Sequence, residues 1–124
     1  MQLSRTVTCL ALVLIAAALY GCSDGGTVTV YFDNDCYPKD DTGARIDELK
    51  VWTGGKVEWV NQRTDVVKLV FDDASIFGAS AITVNAGETK TTNVECGAGL
   101  DATFELNCGE GPSTGPRVVV EDPP

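Results

Sequence analysis

The sequence predicts an all-β fold, a sandwich or barrel of about eight short strands. Apolar and polar residues alternate over short runs, and turn-forming residues separate these runs at a spacing that is typical of β-sandwiches. The sequence contains neither an internal repeat nor the pattern of a long amphipathic helix. The predicted strands are residues 27–32, 48–52, 56–61, 66–71, 82–84, 88–96, 102–108 and 117–121.

The first two predicted strands flank an acidic loop. In residues 27–32, valine and phenylalanine alternate with threonine and tyrosine, which indicates a half-buried strand. Residues 33–43 are dense in carboxylates and predict a loop. Residues 45–52 fit either one helical turn or a strand, and the alternation of Leu49 and Val51 favours a strand at residues 48–52.

The next two strands form the centre around which the rest of the chain can be arranged. A glycine turn at Gly54 and Gly55 leads into residues 56–61, where Val57 and Trp59 share one face. A polar loop follows, and residues 66–71 form a second apolar strand. We expect this pair to contribute the middle of the core.

The second half of the chain is predicted to form a loop and four further strands. Residues 72–80 form a loop with one possible helical turn, and a short strand covers residues 82–84. Residues 88–96 are polar and rich in threonine, as an edge or exposed strand would be. Residues 102–108 alternate and end at a cysteine, and residues 109–115 contain enough glycine and proline to predict a loop before the last strand.

Composition excludes several classes of function. The 124 residues suit one domain, and the net charge of −9 repels phosphate, so we expect no nucleic-acid partner. Arg5 is the only charged residue before Cys22, so the chain from Cys22 onward is one charge more negative. The absence of histidine removes the commonest general base and the commonest transition-metal ligand. Five cysteines in a short chain indicate an oxidising compartment and at least one disulfide.

The N-terminus has the organisation of a signal peptide. One positive charge at Arg5 precedes an uncharged apolar run over residues 9–19, which is short for a membrane span. The sequence Leu-Tyr-Gly-Cys that ends at Cys22 resembles the lipobox of bacterial lipoproteins. We therefore divide the chain into a lipoprotein signal peptide at residues 1–21, a tether at 22–26 and one domain at 27–124. The alternative is an ordinary signal peptide, with Cys22 free or in a disulfide.

The lipobox resemblance implies cleavage after Gly21 and attachment of diacylglycerol to Cys22. Such acyl chains, palmitate among them, hold a protein at a membrane surface without a spanning helix. Ser23 follows the cysteine, where aspartate is the inner-membrane signal of the enterobacterial sorting pattern. The resemblance thus implies a location in the cell envelope, at the outer membrane rather than the inner one.

Several residues along the domain fall in an ordered series of motifs: Gly55, Val57, Trp59, Asn61, Ala86, Gly87, Glu88, Thr89, Gly99, Phe104, Cys108 and the strand at residues 118–120. This series resembles the cupredoxins, whose sequences contain G-x-x-V-x-W-x-N, a later turn of the type x-x-G-E-T, and a hairpin that ends at a cysteine. The present chain departs from the first motif by one residue fewer between the glycine and the valine. The resemblance covers roughly residues 27–121 and implies a cupredoxin-like Greek-key β-sandwich.

The copper ligands of that family do not carry over. Val67 stands where the first histidine opens its strand, and Gly111 stands near the position of the second histidine. The chain has no methionine beyond Met1. A blue-copper site needs two imidazoles and one thiolate, so we expect no type-1 copper, no electron transfer through such a centre and no other cofactor.

The cupredoxin-like topology also implies a disulfide. It places Cys36 and Cys108 at the end of the sandwich where the metal normally sits, and Cys96 near the opposite end. We therefore expect a Cys36–Cys108 disulfide, with a free thiol or a metal ligand as alternatives for Cys108. We expect Cys96 to be a buried, inert thiol, unless Cys22 escapes lipidation and pairs with it.

No residue combination predicts catalysis. Asp33, Asp35, Asp40 and Asp41 crowd one loop, but their spacing does not match a calcium-binding pattern, so a solvated acidic loop is favoured over a cation site. The serines have no histidine to activate them. The sequence predicts a non-enzymatic, membrane-anchored binding or structural domain with an unidentified protein partner. The alternative is a metal-handling or redox protein that uses Cys36 and Cys108 or the acidic loop.

Overall fold

Two β-sheets make up the part of the chain that the computed structural model describes, residues 25–96 and 101–121. The predicted signal peptide, Cys22 and the beginning of the predicted tether lie outside the described residues, as do residues 97–100 and the last three residues. The strands are β1 (Thr27–Phe32), β2 (Pro38–Lys39), β3 (Glu48–Trp52), β4 (Lys56–Asn61), β5 (Val67–Phe71), β6 (Ala81–Val84), β7 (Thr89–Asn93), β8 (Asp101–Asn107) and β9 (Pro112–Glu121).

The strand order interleaves the two halves of the chain. The first sheet has the order β2-β1-β4-β7, and the second has the order β3-β9-β8-β5-β6. Pairs β1–β4 and β3–β9 are parallel, whereas all other pairs are antiparallel. Parallel pairing requires long crossovers between the paired strands, and here these crossovers pass from one sheet to the other. The predicted all-β sandwich is confirmed.

Most predicted strands agree with the structure within two residues, and three agree at both ends: β1, β3 and β4. Strand β2 is an addition, because Pro38 and Lys39 pair with the end of β1 inside the predicted acidic loop. The described residues contain no helix, so the helical turn allowed at residues 72–80 is a series of turns. No described segment is a helix with the length and apolarity needed to cross a membrane.

Strand β9 begins five residues earlier than predicted, which corrects the loop assignment of residues 109–115. Glu105 pairs with Thr114 and Thr103 pairs with Arg117, so Gly115 and Pro116 together oppose Phe104 in a bulge. Proline is tolerated at a bulge and at the first residue of a strand because no ladder hydrogen bond is needed there. The glycine and proline content of this segment therefore marks a bulged strand rather than a long loop.

Gly115 is the residue that the bulge requires to be small. A Cβ atom at Gly115 would lie 2.8 Å from one carbon of the Phe104 ring and 3.1 Å from two others. Phe104 is buried in the core and cannot move away without disturbing its neighbours. We expect Gly115→Ala to lower the free energy of unfolding by about 1–3 kcal/mol through overpacking. Chemical denaturation checks this, with Thr114→Ala as the exposed control; equal effects of the two changes would contradict the prediction.

Trp59 is the centre of the core between the two sheets. Its side chain is completely buried, and its ring lies 5.7–6.3 Å, centroid to centroid, from those of all four phenylalanines in the chain. The indole Nε1 donates a hydrogen bond of 2.9 Å to Thr92 Oγ1. These phenylalanines come from β1, β5, β8 and the loop after β5, so Trp59 joins both sheets: Phe32, Phe71, Phe77 and Phe104.

Candidate functional site

The Cys36–Cys108 disulfide lies at one end of the sandwich, which we call the disulfide end and define as residues 32–36, 61–67, 84–88 and 108–111. The two Cα atoms are 6.2 Å apart, and 72 positions separate the cysteines in the sequence. Cys108 directly follows β8 and is buried, whereas Cys36 lies in the loop after β1 and is half-buried. The predicted disulfide is confirmed.

Cys36 is held in an unusual backbone conformation. Its φ of 53° is in the left-handed region, the only such value among the described residues other than glycine. The Cys36 N–H donates a 3.2 Å hydrogen bond to the Asp33 carbonyl and closes a tight turn. Left-handed backbone is costly for a residue with a side chain, and the disulfide and this turn together hold Cys36 in place.

The residues at the disulfide end do not fit a type-1 copper ion. Val67, at the position of the first histidine in the family pattern, is completely buried and offers no donor atom. The Cys108 sulfur is bonded to Cys36, so it is not a thiolate. The described residues contain no group of three or more histidine, cysteine, aspartate or glutamate side chains arranged to hold a metal. The disulfide stands where such a site would need its thiolate.

Asn61 connects the loops at the disulfide end. Its side chain is 1% exposed, and its Nδ2 group donates to the carbonyls of Asp65, Val84 and Asn85 at 2.8, 3.0 and 3.1 Å. Its Oδ1 atom accepts a 2.9 Å bond from the Arg63 N–H. The family resemblance singled out Asn61 as a motif position, and the structure shows that it joins the β4–β5 loop to the β6–β7 turn.

Arg63 is a structural residue that the sequence analysis missed. Its guanidinium Nη1 donates to the carbonyls of Asp33 and Asn34 at 2.9 and 2.8 Å, and Nη2 lies 3.7 Å from an Asp65 carboxylate oxygen. The side chain is only 11% exposed. A single cation in a polar loop carries no local pattern, so its contacts with a loop 30 positions away leave no signal in the sequence.

Two carboxylates of the acidic loop form ion pairs with a lysine of the same segment. Lys39 Nζ lies 2.8 Å from both carboxylate oxygens of Asp33 and 3.1 Å from one of Asp35. The hydrogen bond from Lys39 lowers the pKa of Asp33 and raises the pKa of Lys39. A cation ligand needs free carboxylate oxygens, so the Lys39 ammonium competes directly with a metal at these two side chains.

Asp40 stabilises the turn that follows. Its Oδ1 atom accepts bonds from the Thr42 hydroxyl, the Thr42 N–H and the Ala44 N–H, and these bonds lower the pKa of Asp40. A shallow cleft of about 230 Å³ lies beside this turn. Its walls mix one ammonium with carboxylates and neutral groups: Tyr31, Asp33, Lys39, Asp40, Asp41, Gly43 and Gln62.

Removing the Lys39 charge is expected to raise the pKa of Asp33 toward its ordinary value of 3.8. Because the folded pKa is lowered, the pair stabilises the fold above about pH 4. This stabilisation is lost as the pH falls through the folded pKa of Asp33. Carboxyl-carbon NMR titration of wild type and Lys39→Gln measures the change. Asp73, whose pKa is lowered by the Ser75 hydroxyl, is the internal control; an unchanged Asp33 midpoint would contradict the prediction.

We call the end opposite the disulfide end the entry end and define it as residues 25–27, 52–56 and 94–96. The prediction for the cysteine at this end is wrong. Cys96 lies here, as expected, but it is exposed and disulfide-bonded rather than a buried inert thiol. Its partner lies outside the described residues, because Cys36 and Cys108 bond to each other. Trp52 is half-buried at the same end.

The sheet order, the two parallel pairs and the cysteine at the end of β8 define a cupredoxin-like β-sandwich. Among solved structures, the chain is similar to mutants of amicyanin. The Cu(I) form of a methionine-to-alanine mutant is 20% identical, with a TM-score of 0.51 over 80% of this chain and 85% of that chain. The reduced form of a tryptophan-to-tyrosine mutant is 19% identical, with the same TM-score and coverage.

These likenesses concern the fold alone. A Cu(I) structure of a methionine-to-glutamine mutant of amicyanin is 20% identical, with a TM-score of 0.51 over 77% of this chain and 83% of that chain. No protein-family model matches the sequence, and no curated protein matches it. The chain thus shares its fold with amicyanin.

Proposed function

We propose that the protein is a lipid-anchored component of the bacterial cell envelope that presents a cupredoxin-like domain without type-1 copper as a non-enzymatic binding or structural module. The observation that carries the copper-free half of the proposal is the Cys36–Cys108 disulfide. In this bond, Cys108 cannot serve as the thiolate ligand that a type-1 copper centre requires. The sequence also contains no histidine to complete a ligand set.

The anchor half of the proposal rests on the N-terminal sequence. The charged start, the apolar run over residues 9–19 and the lipobox-like residues before Cys22 support lipidation at Cys22. Ser23 after the cysteine supports the outer membrane over the inner one. The domain's partners are then the membrane, through its acyl chains, and an unidentified protein.

The geometry of the sandwich gives this anchor an orientation. Gly25 lies at the entry end, where a Cβ atom would be 2.6 Å from Trp52 Cβ, and the Gly26 carbonyl accepts a bond from the Lys56 N–H. Strand β4 runs from there to the disulfide end over six residues, about 20 Å. A lipid on Cys22, three positions before Gly25, would place the entry end at the membrane and the disulfide end away from it.

The decisive experiment is intact-mass spectrometry of the full chain recovered from bacterial membranes, with and without reduction and alkylation. We expect a mature chain that begins at Cys22 and carries a diacylglyceryl mass increment, together with an alkylation-protected Cys36 and Cys108. Cys22→Ser is the matched control and should lose the increment. Separation of inner and outer membranes by density tests the location. A mature chain without lipid in the soluble fraction would overturn the anchor.

The alternative function, metal handling or redox chemistry by Cys36 and Cys108 or by the acidic loop, finds no support in the described residues. The two sulfurs are bonded to each other, and Asp33 and Asp35 are paired with Lys39. Metal titration with parallel thiol counting separates the two functions. A stoichiometric Cu(I)–thiolate complex of the protein as isolated would favour the alternative and contradict the proposed module.

A further inference from the structure

Strand β7 forms an open edge of the first sheet. In the order β2-β1-β4-β7, its neighbour is β4, and no described residue pairs with its other side. The opposite edge of the same sheet is covered, because the Ile46 N–H donates to the Pro38 carbonyl of β2 at 2.9 Å. Within the part of the chain that the structure describes, β7 is therefore the edge of this sheet at which another strand can be added.

The pairing of β7 with β4 determines which of its backbone groups point outward. The Glu88 carbonyl accepts a 2.9 Å bond from β4, and the Val94 N–H donates a 2.8 Å bond to the residue before β4. Because alternate residues of an antiparallel pair exchange these bonds, the even-numbered residues between them also face β4. The N–H and C=O groups of Thr89, Thr91 and Asn93 then point away from the sheet. Their repeat of about 7 Å matches the backbone of a second extended strand.

The side chains along β7 give this edge little protection. Thr89, Thr91 and Asn93 are exposed, short and uncharged, and β7 contains neither proline nor a bulge. Natural edge strands are usually protected by such features or by charged side chains. Strand β3, at an edge of the second sheet, is protected in this way, because Glu48 and Lys50 are exposed there and form ion pairs with β9.

Side-chain hydrogen bonds hold β7 in place. Asn61 donates to two carbonyls at the β6–β7 turn at 3.0 and 3.1 Å, and the Trp59 indole donates to the Thr92 hydroxyl at 2.9 Å. An edge strand that is already ordered loses little conformational entropy when another strand is added. Strand β7 begins directly after residues 84–88 of the disulfide end, so a protein located away from the membrane would reach it from that end.

Lys90 is the charged residue of β7, and it restricts which strand can be added. Its side chain is half-buried beside Trp59, its cross-strand neighbour, and no ion pair joins it to another described residue. The residue opposite Lys90 in an added strand would have its Cβ atom about 5 Å from that of Lys90. A cationic residue there is repelled and an apolar one leaves the ammonium unpaired, whereas a carboxylate forms an ion pair.

We infer that the outer edge of β7 is the docking site for the protein partner, which adds an extended segment there as a fifth strand with an aspartate or glutamate opposite Lys90. This inference rests on the proposed function as a binding module. A second copy of the chain does not fit, because β7 contains no carboxylate to place opposite Lys90. Antiparallel pairing of two β7 strands would also direct the two entry ends away from each other, whereas anchors in one membrane need them on the same side.

The test is an NMR titration of the isotopically labelled full chain in detergent with two synthetic peptides. One is Thr-Thr-Val-Glu-Val-Thr-Thr, and the other has lysine in place of glutamate. We expect the glutamate peptide at millimolar concentration to slow hydrogen exchange at the amides of Thr89, Thr91 and Asn93. It should bind about tenfold more tightly than the lysine peptide, and Lys90→Glu should reverse this preference.

Thr91→Pro is the blocking variant, because it removes an outward N–H group that forms no bond with β4. It should lower the affinity for the glutamate peptide about tenfold through loss of one hydrogen bond. Thr91→Ala keeps the N–H group and is the matched control, which should bind as wild type does. Unchanged amide shifts in β4 verify that the proline variant keeps the sheet.

Three results would overturn the inference: no slowing at the three amides, equal affinity of the two peptides, or equal affinity of the two Thr91 variants. Slowing that depends on protein concentration alone would assign the edge to a second copy and overturn the inferred partner. The lipid content of the same sample, read by intact mass, separates this inference from the anchor. A peptide response without lipid would overturn the anchor alone, and an anchored chain without the response would overturn the docking edge alone.

Discussion

Replacing Cys36 and Cys108 together with alanine is expected to lower the free energy of unfolding by about 4 kcal/mol. The bond joins cysteines 72 positions apart, and a crosslink of that span removes much of the conformational entropy of the unfolded chain. It also holds Cys36 in its left-handed conformation at the end of the acidic loop. Equilibrium denaturation followed by circular dichroism measures the loss, which is a large fraction of the stability of a domain of this size.

The double change is needed because a single change would leave one thiol able to exchange with the Cys96 bond. Reductant provides the control. Added to the double variant, it reports only the contribution of the Cys96 disulfide, and added to wild type it reports both bonds. If the double variant unfolded at the same denaturant concentration as wild type, the disulfide would not be the main constraint on this end of the sandwich.

Trp59→Ala is expected to cost about 4 kcal/mol, comparable to loss of the disulfide. The indole is completely buried and contacts rings from both sheets, so its removal leaves a cavity that the sheets cannot close without moving toward each other. The change also leaves the Thr92 hydroxyl without its hydrogen-bond donor.

Two variants separate cavity formation from loss of the hydrogen bond. Trp59→Phe keeps most of the ring volume but loses Nε1, so we expect a smaller cost, about 1–2 kcal/mol. Trp52→Ala removes a tryptophan that is only half-buried at the entry end and should cost less than Trp59→Ala. Urea denaturation of all three variants tests this order. Equal costs for the two alanine changes would contradict the central role of Trp59.

The Cys36–Cys108 bond and the proposed lipid anchor would give the two ends of the sandwich different roles. The disulfide end is closed by the Cys36–Cys108 bond and by contacts from Asn61 and Arg63, and under the proposed anchor it points away from the membrane. The entry end receives the tether and holds Cys96. A protein partner would therefore meet a rigid surface at the disulfide end.

Local patterns were sufficient for the strands whose side chains alternate cleanly. Strands β1, β3 and β4 agree at both ends with their predictions because a strand with one buried face repeats its apolar residues every second position, whatever its neighbours are. The lack of histidine likewise excluded imidazole ligands without any structure. The motif around Trp59 was enough to indicate the sandwich and, through the family resemblance, the Cys36–Cys108 pair.

The alternation of apolar and polar residues could not predict contacts between residues that are distant in the sequence. The early start of β9 depends on a bulge opposite Phe104, and the Arg63 contacts depend on two loops that the sheets bring together. The bond at Cys96 involves a partner outside the described residues, and no strand pattern indicates it. Alternation records only which face of a strand is buried, whereas these contacts arise from the strand order, which brings together residues that are 30 or more positions apart in several cases.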